Sequence, residues 1–191
     1  DLPSLLKAYA AAGSDARMNG CELPVVINSG SGNQGLTVSV PLIVYAEREH
    51  LDKEKLYRAL VISNLTAIHL KTEIGRLSAF CGAVSAGAAC GAGLAYLKDA
   101  SEEVMNHTIV NALAITSGII CDGAKASCAA KIAVSVEAGI LGYDMYMNGQ
   151  QFYGGDGIIS KGIENTIHNI GVLGSQGMAS TDQEIIKIMC E

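Results

Sequence analysis

Apolar positions in this chain recur mainly every three or four residues, the period that builds one face of an α-helix. The clearest case runs from Lys53 to Ile74, where Leu56, Leu60, Ser63, Ala67 and Leu70 share a face. Asp52 is placed to cap that helix and Gly75 to end it, while Lys55 gives no capping box. Ser101 with Glu102 and Glu103 predicts another start, its acids at the positive end of the helix dipole, running to Thr116 or Ser117 before Gly118. Leu36 to Ala46 predicts a buried helix kinked at Pro41. Shorter or less regular patterns predict helices over Ser4–Gly13, Ala124–Tyr146, Ile163–Leu173 and Asp182–Cys190. Glycine-rich loops are expected over Asn19–Gly35 and Asn148–Gly157, the first with a brief buried strand at Pro24–Ile27. Few segments alternate at period two and no internal repeat occurs. The expectation is one compact, mainly α domain over residues 1–191, with little or no β.

One stretch invites a different reading. Leu77 to Leu97 is 21 residues without a charge, long enough to span a bilayer, and Gly87 with Gly91 forms a GxxxG pair. Its strongly apolar members are only Leu77, Phe80, Val84, Leu94 and Leu97. Each favours insertion by about 0.3–0.6 kcal/mol, which barely offsets the serines and glycines. A central buried helix with a small-residue surface is the better reading.

Composition sharpens this picture. Hydrophobic residues at 49% and charged residues at 17% exclude disorder. Aromatics at 5%, with no Trp, leave the core to Ala, Val, Ile and Leu, and 22 Gly against 3 Pro suit close helix packing. A net charge of −6 without a basic run argues against a nucleic-acid partner. Asp1-Leu2-Pro3 shows no secretory signal, and a start at Asp fits a processed or truncated product.

The six cysteines, Cys21, Cys81, Cys90, Cys121, Cys128 and Cys190, include no CxxC pair, so a zinc ribbon is not expected. Cys90 reads as a small buried hydrophobe, and Cys21 and Cys190 as ordinary thiols. Cys121 lies in ICDGAK, where a helix N-terminus and a lysine would lower its pKa. Cys128 follows by seven residues, about 10.5 Å along an unbroken helix. Shared ligation would need Cys121 to curl back at Asp122-Gly123. Spacing alone leaves ligands and inert thiols equally open. The SGSGNQG loop offers converging backbone N–H groups, with Asn33 and Gln34 as side-chain donors at a helix start, a nest suited to a carboxylate. A tight turn is the alternative there.

Three stretches taken together, SGSGNQG (Ser29–Gly35), GRLSAFCGAVSAG (Gly75–Gly87) and ICDGAKASCAAK (Ile120–Lys131), resemble the C-terminal half of the iron–sulfur L-cysteine desulfidase family. That family is related to the α chain of bacterial L-serine dehydratases, and the resemblance runs from about Arg17 to the end. It implies a four-iron four-sulfur cluster, no pyridoxal phosphate, and elimination of the β-substituent of L-cysteine or L-serine to give pyruvate, ammonia and sulfide or water. It places cluster ligands at Cys81, Cys121 and Cys128, and suggests substrate contacts at Ser31, Gly32, Asn33, Gln34 and Lys125. The family's N-terminal cysteine, thought to act as base, has no match here, since Cys21 lies in a different context. The catalytic base is therefore unassigned, with His50, His69, His107 and His168 carrying no base signature. On this reading the chain is the C-terminal part of a longer enzyme and inactive alone. Its partners are a small amino-acid substrate, the missing N-terminal part and, as an open option, a second copy in a homodimer, with no nucleic acid and no membrane. An oxygen-sensitive cluster and free thiols point to the cytoplasm. The competing expectation is a non-enzymatic helical domain with structural cysteines and no cluster.

Overall fold

A computed structural model describes residues 1–191 and is all α. Its helices are α1 (Leu2–Met18), α2 (Gly32–Arg48), α3 (Lys53–Ile74), α4 (Gly82–Leu97), α5 (Glu102–Thr116), α6 (Cys128–Met147), α7 (Ile163–Val172) and α8 (Ala179–Cys190), with a π turn at Leu173–Gly177 before α8. There is no sheet; β-type pairing is limited to isolated bridges at Asn28–Ser31 and Phe80–Ile120.

Helix α4 is the axis of the fold, packed against α2, α3, α5 and α6. Its Ala/Gly surface is what allows this. A Cβ on Gly87 would lie 2.2 Å from the Ser135 carbonyl oxygen, and one on Gly139 would lie 2.5 Å from that of Gly87. The backbones of α4 and α6 therefore approach closer than any side chain would permit. Around this axis Leu42, Leu70, Leu113 and Ile132 are fully buried, each contributing roughly 1.5–3 kcal/mol. No helix is long and apolar enough to cross a membrane.

Helix α3 has the expected ends: Asp52 Oδ1 accepts from the Lys55 N–H at 2.9 Å, and Gly75 leaves the helix at φ +90°. Ser101 caps α5 by accepting from the Val104 N–H at 3.4 Å. Several expected boundaries shift, and one expected strand does not form. Helix α1 runs through Gly13 to Met18, because Gly13 leaves ordinary contact room for Leu36 and Ser14 is buried on the packed face. The expected strand at Pro24–Ile27 is absent; no neighbouring strand pairs with it, and Val26 is 77% exposed. Helix α4 begins at Gly82 rather than Leu77, since residues 79–81 are drawn into pairing with 119–121 and Leu77 is left 96% exposed. Helix α6 begins at Cys128 rather than Ala124, after a turn through residues 124–127.

Candidate active site

Those last two shifts build a site. The Cys81 N–H donates to the Ile119 carbonyl at 3.2 Å and the Cys121 N–H to that of Ala79 at 2.6 Å. One two-stranded crossing thus fixes both cysteines at the mouth of α4. Phe80, fully buried, pins the crossing from behind. Cys128 is the first residue of α6, its thiol directed at the Gly123 carbonyl at 3.7 Å. Sequence distance along a helix is thus the wrong measure, because Cys121 lies on an extended segment.

A third wall comes from the start of α2. Asn28 and Ser31 exchange backbone hydrogen bonds of 3.1 and 3.0 Å around Ser29 and Gly30, both at positive φ. Ser31 then caps α2, its Oγ accepting from the Gln34 N–H at 3.3 Å. The N–H groups of Gly32 and Asn33 donate to no protein acceptor. Glycine is required at Gly35, where a Cβ would fall 1.6 Å from the Val26 carbonyl oxygen. The loop is pressed against the first turn of the helix.

These walls enclose a cavity of about 320 Å³. Ser31, Asn33, Gln34, Cys81, Cys121 and Cys128 all line it. Gly32 sits behind the lining, where a Cβ would strike the Arg17 guanidinium at 2.7 Å. Lys125 is outside it, half-exposed and 3.5 Å from Asp122. Cys90 is fully buried elsewhere in α4, and burial raises its thiol pKa. None of the four histidines reaches the cavity: His69 and His168 pair with Glu164 and Glu73 at 2.8 Å each, and His107 stacks on Tyr146.

The electrostatics of the cavity run against those of the chain. Its lining includes Arg17, Lys71, Arg76 and Lys131 and no carboxylate. Arg17 donates to Asn33 Oδ1 at 3.1 Å, and Lys131 donates to the Ile120 carbonyl at 3.0 Å and pairs with Asp122. Beside it the Cys121 thiol is lowered to about 6, chiefly by a hydrogen bond from Cys81, with the Gly123 N–H and Lys131 adding to the effect against its partial burial. Cys81 is pushed up by the same sharing and by its burial. The sharing favours the thiolate on Cys121 and the thiol on Cys81.

Sequence reading passed over Arg17, Lys71, Arg76 and Lys131. Only Lys71 carried a visible signal, as a lysine within the apolar stripe of α3 beside Leu70 and one turn from Ala67.

The family model described as "Serine dehydratase alpha chain" matches residues 2–187. A UPF0597 protein of Desulfitobacterium hafniense is 67% identical over 99% of this chain and 44% of its own length. UPF0597 proteins of Lachnoclostridium phytofermentans and Finegoldia magna are 57% and 55% identical, over 99% and 98% of this chain and 45% of their own lengths. The chain thus spans less than half the length of these relatives. No solved structure matches.

Proposed function

The chain belongs to the serine dehydratase alpha chain family, and we propose that it is the cluster-carrying part of an iron–sulfur lyase that eliminates the β-substituent of L-cysteine, or of L-serine, to give pyruvate and ammonia. The observation that carries this reading is the convergence of Cys81, Cys121 and Cys128 on one cavity of reversed charge. No three acidic, histidine or cysteine side chains gather as a single metal ion would require. Three thiols that share one cavity without meeting at one point are compatible with a four-iron cluster, whose irons present separate corners to their ligands. The donor set is also right in kind, three sulfurs and no imidazole or carboxylate. Cys81, Cys121 and Cys128 would hold the cluster, which when bound supplies a Lewis-acidic iron free of protein thiolate.

The chain's own residues do the rest. Metal ligation needs thiolates, and Cys121 is already poised as one. Lys131 supports that state while the Asp122 carboxylate opposes it, and Lys125 and Lys131 both pair with Asp122. The free N–H group of Asn33, with the side chains of Ser31, Asn33 and Gln34, receives the substrate carboxylate at the positive end of α2. With no histidine in the cavity, the base that removes the Cα proton is assigned to the remainder of the longer polypeptide, which is this chain's first partner. Six unpaired cysteines suit a reducing compartment such as the cytoplasm.

The test is pyruvate formation by the full-length, iron-loaded protein supplied with L-cysteine or L-serine. Release from L-cysteine at the higher kcat/KM is expected. Iron-loaded protein that releases pyruvate from neither amino acid would refute the reading.

A further inference from the structure

Lys71 is the one cation of the cavity that is both buried and unpaired. It projects from the buried stripe of α3, with Ser63, Ala67, Leu70 and Ile74, and is only 5% exposed. Among the other three cations, Arg17 is bound to Asn33, Lys131 to Asp122, and Arg76 is exposed at the rim. No carboxylate lies within ion-pairing distance of Lys71, and the charges that face it belong to Cys81 and Cys121. Burial lowers its pKa, and the neighbouring Cys121 and Cys81 sulfurs offset that shift only in part.

A second buried polar group lines the same cavity. Gln34 is 6% exposed, and its Oε1 has no hydrogen-bond partner. Its amide lies over the start of α4, where a Cβ on Gly82 would come within 2.4 Å of Nε2. A further cavity of about 450 Å³ borders the first and shares Ser29, Gly30, Lys71 and Arg76 with it. Lys71 therefore stands where the two meet, beside the turn that leads into α2. A buried cation, the residue that carries the free Asn33 N–H and the buried Gln34 side chain all border the same space. Burying a lone lysine costs stability unless something charged completes it.

We propose that Lys71, together with the Asn33 N–H group, forms a subsite that binds the carboxylate of an amino acid. The identity of that amino acid rests on the lyase reading; the subsite itself does not need the cluster. Lys71 supplies the charge that the uncharged nest lacks, so the subsite selects a carboxylate over a neutral carboxamide. Arginine at this position keeps the charge, whereas methionine keeps the apolar stem and removes it.

The experiment is a titration of the cluster-free protein with L-serine, and with L-serinamide as the neutral-carboxyl control, followed through the amide resonances of Gly32 and Asn33. The wild type should saturate with L-serine and not with L-serinamide. Lys71→Met should weaken L-serine binding roughly tenfold or more. Lys71→Arg should bind within about threefold of wild type. Lys71→Met should also keep or raise the melting temperature, because an unpaired buried charge is removed. A structural role for Lys71 would lower it. Equal L-serine affinity in Lys71→Met, saturation by L-serinamide, or no saturation in the wild type would each overturn the proposal. Iron analysis separates the two claims. Lys71-dependent binding in a protein that never takes up iron keeps the subsite and removes the lyase reading. Iron uptake with Lys71-independent binding does the reverse.

Discussion

The two glycine-rich loops of this chain look alike on paper, and each borders a cavity, yet the cavities differ in kind. The larger, about 620 Å³, lies beside residues 151–163 and is lined by Glu102, Glu103, His107 and Lys161 with no cysteine. The smaller, about 320 Å³, has four cations, no acid and three thiols. The glycines differ as well. In the second loop Gly149, Gly155 and Gly157 have positive φ and open space around them, so they simply let the chain turn. In the first, Gly35 leaves no room for a single carbon, and the loop backbone is held against the start of α2. Cavity size is therefore a poor guide to chemistry here. A reversal of charge sign in a chain of net −6, and backbone donors held without acceptors, is the better one.

The largest effect that would sharpen this contrast is at Gly35. Gly35→Ala must displace the Val26 backbone, and a loss of about 3 kcal/mol or more is expected in chemical denaturation, with loss of the L-serine response. Gly157→Ala, at φ +63° in open space, should lose only about 1–2 kcal/mol. Similar losses at the two positions would erase the distinction between the loops. Next comes the thiol pair. In the cluster-free protein, iodoacetamide should alkylate Cys121 at a rate that rises as pH climbs through about 6, because the thiolate forms above that value. Lys131→Met should move the midpoint upward by removing a cation that favours the thiolate. Cys90 should stay unmodified until the protein unfolds. A Cys121 midpoint in the ordinary thiol range, near about 8.5, would contradict the geometry. The smallest effect belongs to the larger cavity. Tyr146→Phe removes a 2.8 Å hydrogen bond to Glu103 and should leave both L-serine binding and iron content unchanged.

Much of the fold was legible because helix signals are local. Asp52, Gly75 and Ser101 fixed helix ends through their own side chains or backbone freedom, and the Ala/Gly run of α4 announced a helix surrounded by others. What was not legible depends on distant pairing. Residues 77–81 read as helix because their composition continues that of α4, and only the partner segment at 119–121, far along the chain, draws residues 79–81 into extended pairing. The same crossing explains the cysteines: the sequence allowed Cys121 to curl back at Asp122-Gly123, but not that Ala79 would be the backbone partner that fixes it. Ser31, Asn33 and Gln34 could be picked out because a glycine-rich loop before a helix has a local physical meaning. Lys125 was favoured over Lys131 by nearness in sequence, yet Lys131, one turn into α6, is the lysine that lines the cavity. Arg17 and Lys71 come from α1 and α3, and their meeting at one cavity is a property of packing alone.

The most direct test of the central claim, that the smaller cavity is a cluster site, is iron and acid-labile sulfide per chain in full-length protein purified without oxygen. The account predicts a cluster in the wild type and in Cys90→Ala, and its loss in Cys81→Ala, Cys121→Ala and Cys128→Ala. Equal iron in all four variants, or none in the wild type, would contradict it.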